Sequence, residues 1–441
     1  MHEMAHTPST IVEGYSNESG LSSRLKSRQI AKFWFPVLVL FSFCMAVSAE
    51  SGYAASGGEE VYNPQIASSF FRQLAFLGLG ISGFCFLAMG RPIAISKPVA
   101  WTVLVPMLIL LMYVFLSILW SDDPLMTMKR AITAILLVVA GLGIGRIWDL
   151  QDYSWGIFVV SSLFLALGII VELRYLSFLS VDDYRFSGLF HPAKQAFNCG
   201  FLLLASLSIY FSQGRRWILF IAALALACLI LTKARTGTGA ALLAGGWLAW
   251  NYASQRNWFV YGLIILGLGV AGLLFYQGAT GRDLRVNQVM TMGRDDEAAD
   301  PSQMSGRLPI WKQVIDEYAQ QPVLGYGYGA FWTMRRLAEF ERSNGWALYH
   351  AHSTYLEALV NLGLVGFGLG ICTLAVALHR CVTLVRYGEK QAVLIIAILL
   401  FAFVGGFTEV AFIGLEYESL VPMIGLGLMT FAGAPKRRQA K

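Results

Sequence analysis

The sequence predicts an all-α polytopic membrane protein, with about 12 transmembrane helices and one large loop outside the bilayer. Three observations predict it. Of the 441 residues, 56% are hydrophobic. Only 14% are charged, against about 25% in an ordinary soluble chain, because an ionised group in hydrocarbon is costly. The apolar residues also gather in runs, near 33–50, 68–89, 99–120, 131–148, 154–172, 192–212, 216–232, 237–253, 258–276, 353–378, 390–408 and 416–433. A helix needs roughly 20 such residues to cross.

Residues 1–32 read as a polar cytoplasmic tail. That is long for the leading part of a signal peptide, and Ala46, Ser48 and Glu50 make a poor cleavage context, so the first run is expected to stay as a helix. Residues 33–276 then hold the first nine spans, 277–352 the loop, 353–433 the last three spans and 434–441 a second cytoplasmic tail. The run from Leu356 to Leu378 is interrupted by Asn361 and several glycines, which allows a bent or re-entrant entry.

Charge orients the bundle. With both termini cytoplasmic, the inner side collects Arg24, Lys26, Arg28, Lys97, Arg215, Arg216, Arg386 and Arg437, while the first outer loop holds Glu50, Glu59 and Glu60 with no Lys or Arg. That asymmetry puts the 277–352 loop outside. It also accounts for the net charge of +6; with no basic helix and no RNA-type aromatic motif, nucleic acid is excluded as a partner. The six cysteines lie in or beside apolar runs without metal-ligand spacing and read as small core residues.

The loop is the one part able to fold in water. It opens with a polar stretch, 278–305, that contains Asp295, Asp296 and Glu297. Leu308–Gln320 has helical apolar periodicity, with Ile310, Trp311, Val314 and Ile315 against Lys312, Gln313, Asp316 and Glu317, and Pro322 ends it. Gly325 to Gly329 must form a tight turn, and Ala330–Glu341 reads as a second amphipathic helix. Such helices can roof a cavity between membrane and loop.

Polar groups cluster at the outer mouth in three places. The first holds Arg185, His191 and Lys194; the second Lys233 and Arg235; the third runs from Arg307 to His350 and His352. Guanidinium and ammonium groups converging there would make an anion site, suited to a diphosphate whose lipid tail stays in the bilayer. A histidine beside them can take a proton from a hydroxyl near neutral pH. Plainer roles stand beside these. Lys233 and Arg235 also read as interfacial anchors, Arg307 as a surface residue, His352 as a satisfied interfacial histidine, and Arg185, His191 and Lys194 as loop-shaping groups. Tyr326, Tyr328 and Trp332 fit an aromatic belt as well as a sugar platform. Glu409 and Glu416 sit where a structural or substrate contact is expected. No Walker A, dinucleotide or HExxH motif is present. A transporter and a structural partner of an assembly complex remain the other classes, although a transporter would place ionisable groups at mid-membrane and show paired repeats.

These segments resemble a known family. His352-Ser353, nine residues, then Gly363-Leu-Val-Gly366 looks like the motif of the O-antigen ligase and Wzy-type polysaccharide polymerase superfamily. Ala351-His-Ser-Thr-Tyr-Leu-Glu357, Gly306-Arg307 to Trp311, Pro322 to Gly327 and Lys233-Ala-Arg235-Thr also look like it. The chain departs at Phe367-Gly368, where ligases commonly carry Thr-Met, and its Gly325 to Trp332 stretch looks more like polymerases of secreted exopolysaccharide.

The resemblance implies a GT-C-type glycosyltransferase of the bacterial inner membrane, inverting and with its site facing the periplasm. Its donor would be a glycan on undecaprenyl diphosphate, and it would need no cofactor and no metal. His352 would be the base or acceptor-orienting residue, with Arg307 and Arg235 on the diphosphate. Arg185, His191, Lys194, Lys233, Tyr326, Tyr328, Trp332, His350, Tyr355 and Glu357 would line the donor or glycan. The expected reaction is polymerisation of repeat units into exopolysaccharide or O-antigen, with ligation to lipid A core as the alternative. Membrane lipid, a flippase and a chain-length regulator of the export pathway are the expected partners.

Overall fold

The computed structural model describes residues 30–47, 70–89, 99–175, 184–252, 307–344, 349–412 and 417–432. The expected span at 258–276 and the polar loop stretch with Asp295 and Asp296 lie outside the described residues. The elements in chain order are α1 (Ile30–Val47), α2 (Phe70–Ala88), α3 (Trp101–Leu116, extended by a 3-10 turn, Ser117–Trp120), α4 (Pro124–Ile147), α5 (Leu150–Tyr175) and α6 (Pro192–Gln213). Then come α7 (Ile218–Leu231), α8 (Arg235–Tyr252), α9 (Arg307–Tyr318), α10 (Met334–Asn344), α11 (Thr354–Arg386), α12 (Val393–Gly405) and α13 (Tyr417–Phe431). Apolar chain in lipid becomes helix because no water is there to satisfy its backbone.

Local chemistry sets the ends. The Asp123 carboxylate accepts from Met126 N at 3.0 Å and Pro124 opens α4, a favoured pairing at an N-terminus. His191 caps α6 ahead of Pro192, and Gly214 closes it in the left-handed conformation. α6 is buried along most of its length and packs against α5, α7, α8 and α12. α4 lies between α2 and α13. A Cβ on Gly143 would stand 2.2 Å from Gly83 O, so these two backbones approach as only small residues allow.

The expected count of 12 spans is corrected. Among the described residues, seven helices are long and apolar enough to cross: α1 to α6, with α3 taken to Trp120, and α11. Ile218–Leu231, Lys390–Gly405 and Tyr417–Phe431 are apolar but shorter. At 14 residues α7 is about 21 Å long, against a hydrocarbon core of about 30 Å. The run expected at 237–253 forms α8, whose Arg235, glycines and Asn251 keep its hydropathy down. Hydropathy averaged across a run does not register where the helix stops, as at Lys233, whose φ is 52°. The described residues are helix and loop, without sheet or barrel, and nothing in them supports the GT-C-type architecture, which falls with that count.

α9 and α10 dock onto the start of α11 through a small core of their own. Ile310, Val314, Tyr326, Phe331 and Phe340 pack with Ala351 and Val360. α10 begins at Met334, later than the expected Ala330. The preceding residues form turns, with positive φ at Gly325, Gly327 and Gly329, pinned by Ser117 Oγ accepting from Tyr328 N and Asn361 Oδ1 from Phe331 N.

Arg336, 4% exposed, ties this roof together. Its guanidinium reaches Asp122 at 2.9 Å and Glu317 at 3.4 Å. It also donates to Phe331 O at 3.0 Å and lies 4.1 Å from the Tyr326 ring centroid. Arg336→Met is expected to destabilise the roof by roughly 3 kcal/mol, the low end for breaking a buried pair. Hydrogen exchange should show residues 307–344 losing protection while α4 and α6 keep theirs; unchanged exchange would refute the role.

α11 is broken at Gly363, where φ is 64° and ψ −171°. The break frees amides that the neighbouring loop then satisfies. Leu364 N donates to Pro322 O at 2.8 Å and Val365 N to Val323 O at 3.2 Å. Tyr326 N in turn donates to Val360 O at 2.9 Å. The interruption legible at Asn361 and its glycines is thus a docking joint for the loop.

Candidate active site

Residues 349–353 form a short strap between the roof and α11. Ala351 anchors it on both sides. Its N–H donates to Glu357 Oε2 at 3.0 Å, and its carbonyl accepts from Trp311 Nε1 at 3.0 Å. Glu357, buried in α11, also accepts from Trp332 Nε1 and from Asn361 Nδ2. Between these anchors His352 adopts φ 47°, a left-handed conformation that a non-glycine residue holds only when its surroundings impose it. Its N–H donates to His350 Nδ1 at 3.2 Å, and the two rings lie 4.1 Å apart. Neutral His350 then carries its proton on Nε2.

The loop before α6 supplies the second wall. Glu172 Oε1 accepts from Ser187 N at 2.9 Å and Gly188 N at 2.8 Å, and His191 Nδ1 accepts from Ala193 N at 3.3 Å. Arg185 Nε donates to Thr232 O at 3.2 Å. That bond sews the turn carrying Lys233 and the first residue of α8, Arg235, to the same loop.

Arg307, at the head of α9, meets Glu409 from the far end of the chain, with Nη2 to Oε1 at 2.8 Å. Glu409 is itself pinned next to His352. Its carbonyl accepts from both Thr354 N and Thr354 Oγ1, at 3.1 and 2.9 Å, and Ala411 N donates back to Thr354 Oγ1 at 2.8 Å.

Electrostatics place these groups in one locale. Burial, then His350, Arg307 and His191, hold His352 down to about 2. Burial, then Arg185, Lys194, His350 and Arg307, hold His191 down to about 3. Both imidazoles are therefore neutral at physiological pH, inside a field made positive by fixed cations. Their folded values lie below the ordinary 6.5, so in the window between them the unfolded chain binds protons that the folded chain excludes. Stability is complete above that window and is lost as the pH falls into it. Acidifying from about pH 7.5 to about pH 5 is expected to loosen the strap, since ordinary histidine protonates across that range. The His191→Asn, His352→Asn double variant should flatten the dependence. An equally steep loss of 349–353 exchange protection in that variant would refute it.

The structure thus brings together His191, His350, His352, Arg185, Lys194 and Arg307, with Lys233 and Arg235 on the adjoining turn. The aromatic candidates have framework contacts. The Tyr326 hydroxyl donates to Glu317 O at 2.8 Å. Tyr328 is buried, which pushes its hydroxyl up to about 12. Trp332 packs on Phe331 and Phe340. Arg336 and the Arg307–Glu409 pairing carried no sequence signal beyond an acidic residue after an apolar run, while Thr354 lay within the Ala351 to Glu357 segment. Among the described residues no group of three His, Cys, Asp or Glu side chains could hold a metal ion.

Below the strap an apolar cavity of about 180 Å³ opens between α3, α4, α11, α12 and α13. Met107, Leu111, Leu137, Phe367, Ile371 and Met423 are among its walls, and Tyr328, Thr354 and Tyr355 are polar members of its lining. Tyr355 lies against Phe403 and Phe407, with its hydroxyl on Phe403 O.

A family model described as O-antigen ligase matches residues 220–371, which include Arg235, Arg307, His352 and the Gly363 break. Exopolysaccharide production protein ExoQ of Rhizobium meliloti (strain 1021) is 26% identical over 357 residues, covering 74% of this chain and 76% of that one. The chain is a multi-pass membrane protein, similar over residues 220–371 to the O-antigen ligase family. Beyond that segment, the likeness runs to a protein named for exopolysaccharide production.

Proposed function

We propose that the chain is a glycosyltransferase of the bacterial inner membrane, moving a glycan from undecaprenyl diphosphate to an acceptor hydroxyl on the periplasmic side. The observation that carries this is the electrostatic convergence of His191, His350, His352, Arg185, Lys194 and Arg307. They come from three segments far apart in sequence and meet close to the apolar cavity. Diphosphate leaves well only if its developing charge is met, and preorganised guanidinium donors meet it without reorganising. Arg307 and Arg235 bind the diphosphate in this reading, with Arg185, Lys194 and Lys233 adding positive field. The isoprenoid tail lies in the apolar cavity. The neutral His352 orients the acceptor hydroxyl opposite the leaving group, so the anomeric configuration inverts.

The acceptor decides the reaction's name. The match to a family described as O-antigen ligase favours transfer of the whole glycan to a separate acceptor such as lipid A core. The likeness to an exopolysaccharide production protein supports polymerisation onto a further repeat unit as the second reading. Purified protein in lipid, given the host's lipid-linked oligosaccharide with and without lipid A core, separates them. One conjugate formed only with the core supports ligation; a ladder from the donor alone supports polymerisation. No free undecaprenyl diphosphate in either tube rejects the transfer reading and returns a transporter.

A further inference from the structure

The transfer step needs a group to take the acceptor's proton, and the histidine strap is badly suited to it. Burial and neighbouring cations keep His352 neutral and weakly basic. A hydrogen bond can still aim a hydroxyl from there, but such an imidazole holds a proton poorly. Two carboxylates in the segments that build the site are already committed. Glu357 is buried, and its carboxylate accepts from Trp332, Ala351 and Asn361. Glu172 is buried, with Oε1 on the Ser187–Gly188 turn.

Glu409 differs from both. Its side chain is 25% exposed, and the carboxylate faces Arg307, itself 21% exposed. Its backbone is fixed to Thr354, two residues from His352. The carboxylate can therefore leave Arg307 by side-chain rotation alone and stay within the site. The pair is only partly exposed, but a diphosphate offers the Arg307 fork more charge than one carboxylate, with a bidentate fit.

We propose that Glu409 is the proton acceptor of the transfer step, released from Arg307 when the donor's diphosphate takes its place. The acceptor oxygen bonds to the anomeric carbon as the bond from that carbon to the diphosphate oxygen breaks. The electron pair of the breaking bond departs on the diphosphate. The hydroxyl proton passes to the Glu409 carboxylate, which afterwards gives it to water. The ion pair thus keeps the base occupied until a donor is bound. This inference rests on the transfer reading above.

The test uses the full chain in lipid nanodiscs with an undecaprenyl-diphosphate-linked glycan and its acceptor. Glu409→Gln is expected to lower kcat by about 100-fold or more, the loss typical of a missing general base, with donor KM unchanged or lower. Glu409→Ala should regain part of its rate with added formate, which only a folded site lacking a base can use. An undiminished kcat in Glu409→Gln overturns the inference, and so does a loss expressed as a raised donor KM, since Glu409 would then merely aim Arg307. Either result beside an active wild type leaves the transfer reading standing. A wild type that releases no undecaprenyl diphosphate with any acceptor overturns both.

Discussion

Arg307→Ala is expected to lower glycan transfer by about 100- to 1,000-fold, the range for removing one preorganised donor from a developing anion. Arg307 opens α9, and α9 is fastened to the strap by the Trp311 bond to Ala351 O and to α11 by the packing of Ile310 and Val314 near Val360. Its guanidinium thus sits on a rigid element beside His352. The fold should survive the change, because Arg307 and Glu409 both keep some solvent contact and α9 is held by Trp311, Ile310 and Val314. Arg307→Lys should recover only part of the rate, since an ammonium cannot reproduce the bidentate fork. Single-turnover assays on variants with wild-type melting curves make the measurement. Near-wild-type rates for the alanine variant would remove Arg307 from the mechanism.

Gly363→Ala is expected to undock the loop from α11. A Cβ there would stand 2.2 Å from Val323 O and 2.6 Å from Leu324 N, both backbone atoms that cannot turn aside. The residue's φ of 64° with ψ near −171° is backbone territory that only glycine occupies readily. Strain and overpacking together should cost roughly 3 kcal/mol or more, borne by the joint and not by the bundle. Opening the joint removes the acceptors of Leu364 N and Val365 N. The result to look for is rapid exchange of those two amides and new proteolytic cuts within 319–333, with transfer lost in parallel. Wild-type protection in this variant would show that the contact is dispensable.

Much of this architecture was legible in the sequence, for identifiable reasons. Long apolar runs announce helices, and the alternating faces of Ile310, Val314, Lys312 and Asp316 announced α9. Asn361 and the glycines within the Leu356–Leu378 run announced the break at Gly363, because an interrupted apolar run is a local feature. What stayed hidden depends on contacts between distant segments. Nothing near Glu409 signals that it meets Arg307, 102 residues earlier. Nothing near Arg336 signals that it crosses to Asp122. A carboxylate such as Glu357 reads the same whether it faces a substrate or, as here, holds Trp332 and Ala351. The span count failed because composition measures apolarity while a turn at Lys233 or a gap after Gly405 decides helix length.

Binding of undecaprenyl diphosphate to the purified protein in nanodiscs, compared between wild type and Arg307→Ala, tests the central claim most directly. The account predicts saturable binding by the wild type, weakened at least about tenfold in the variant, as the loss of a charge-assisted bidentate contact implies. Equal affinity in the two proteins, or no binding to the wild type, would contradict a lipid-diphosphate site at the His352 strap.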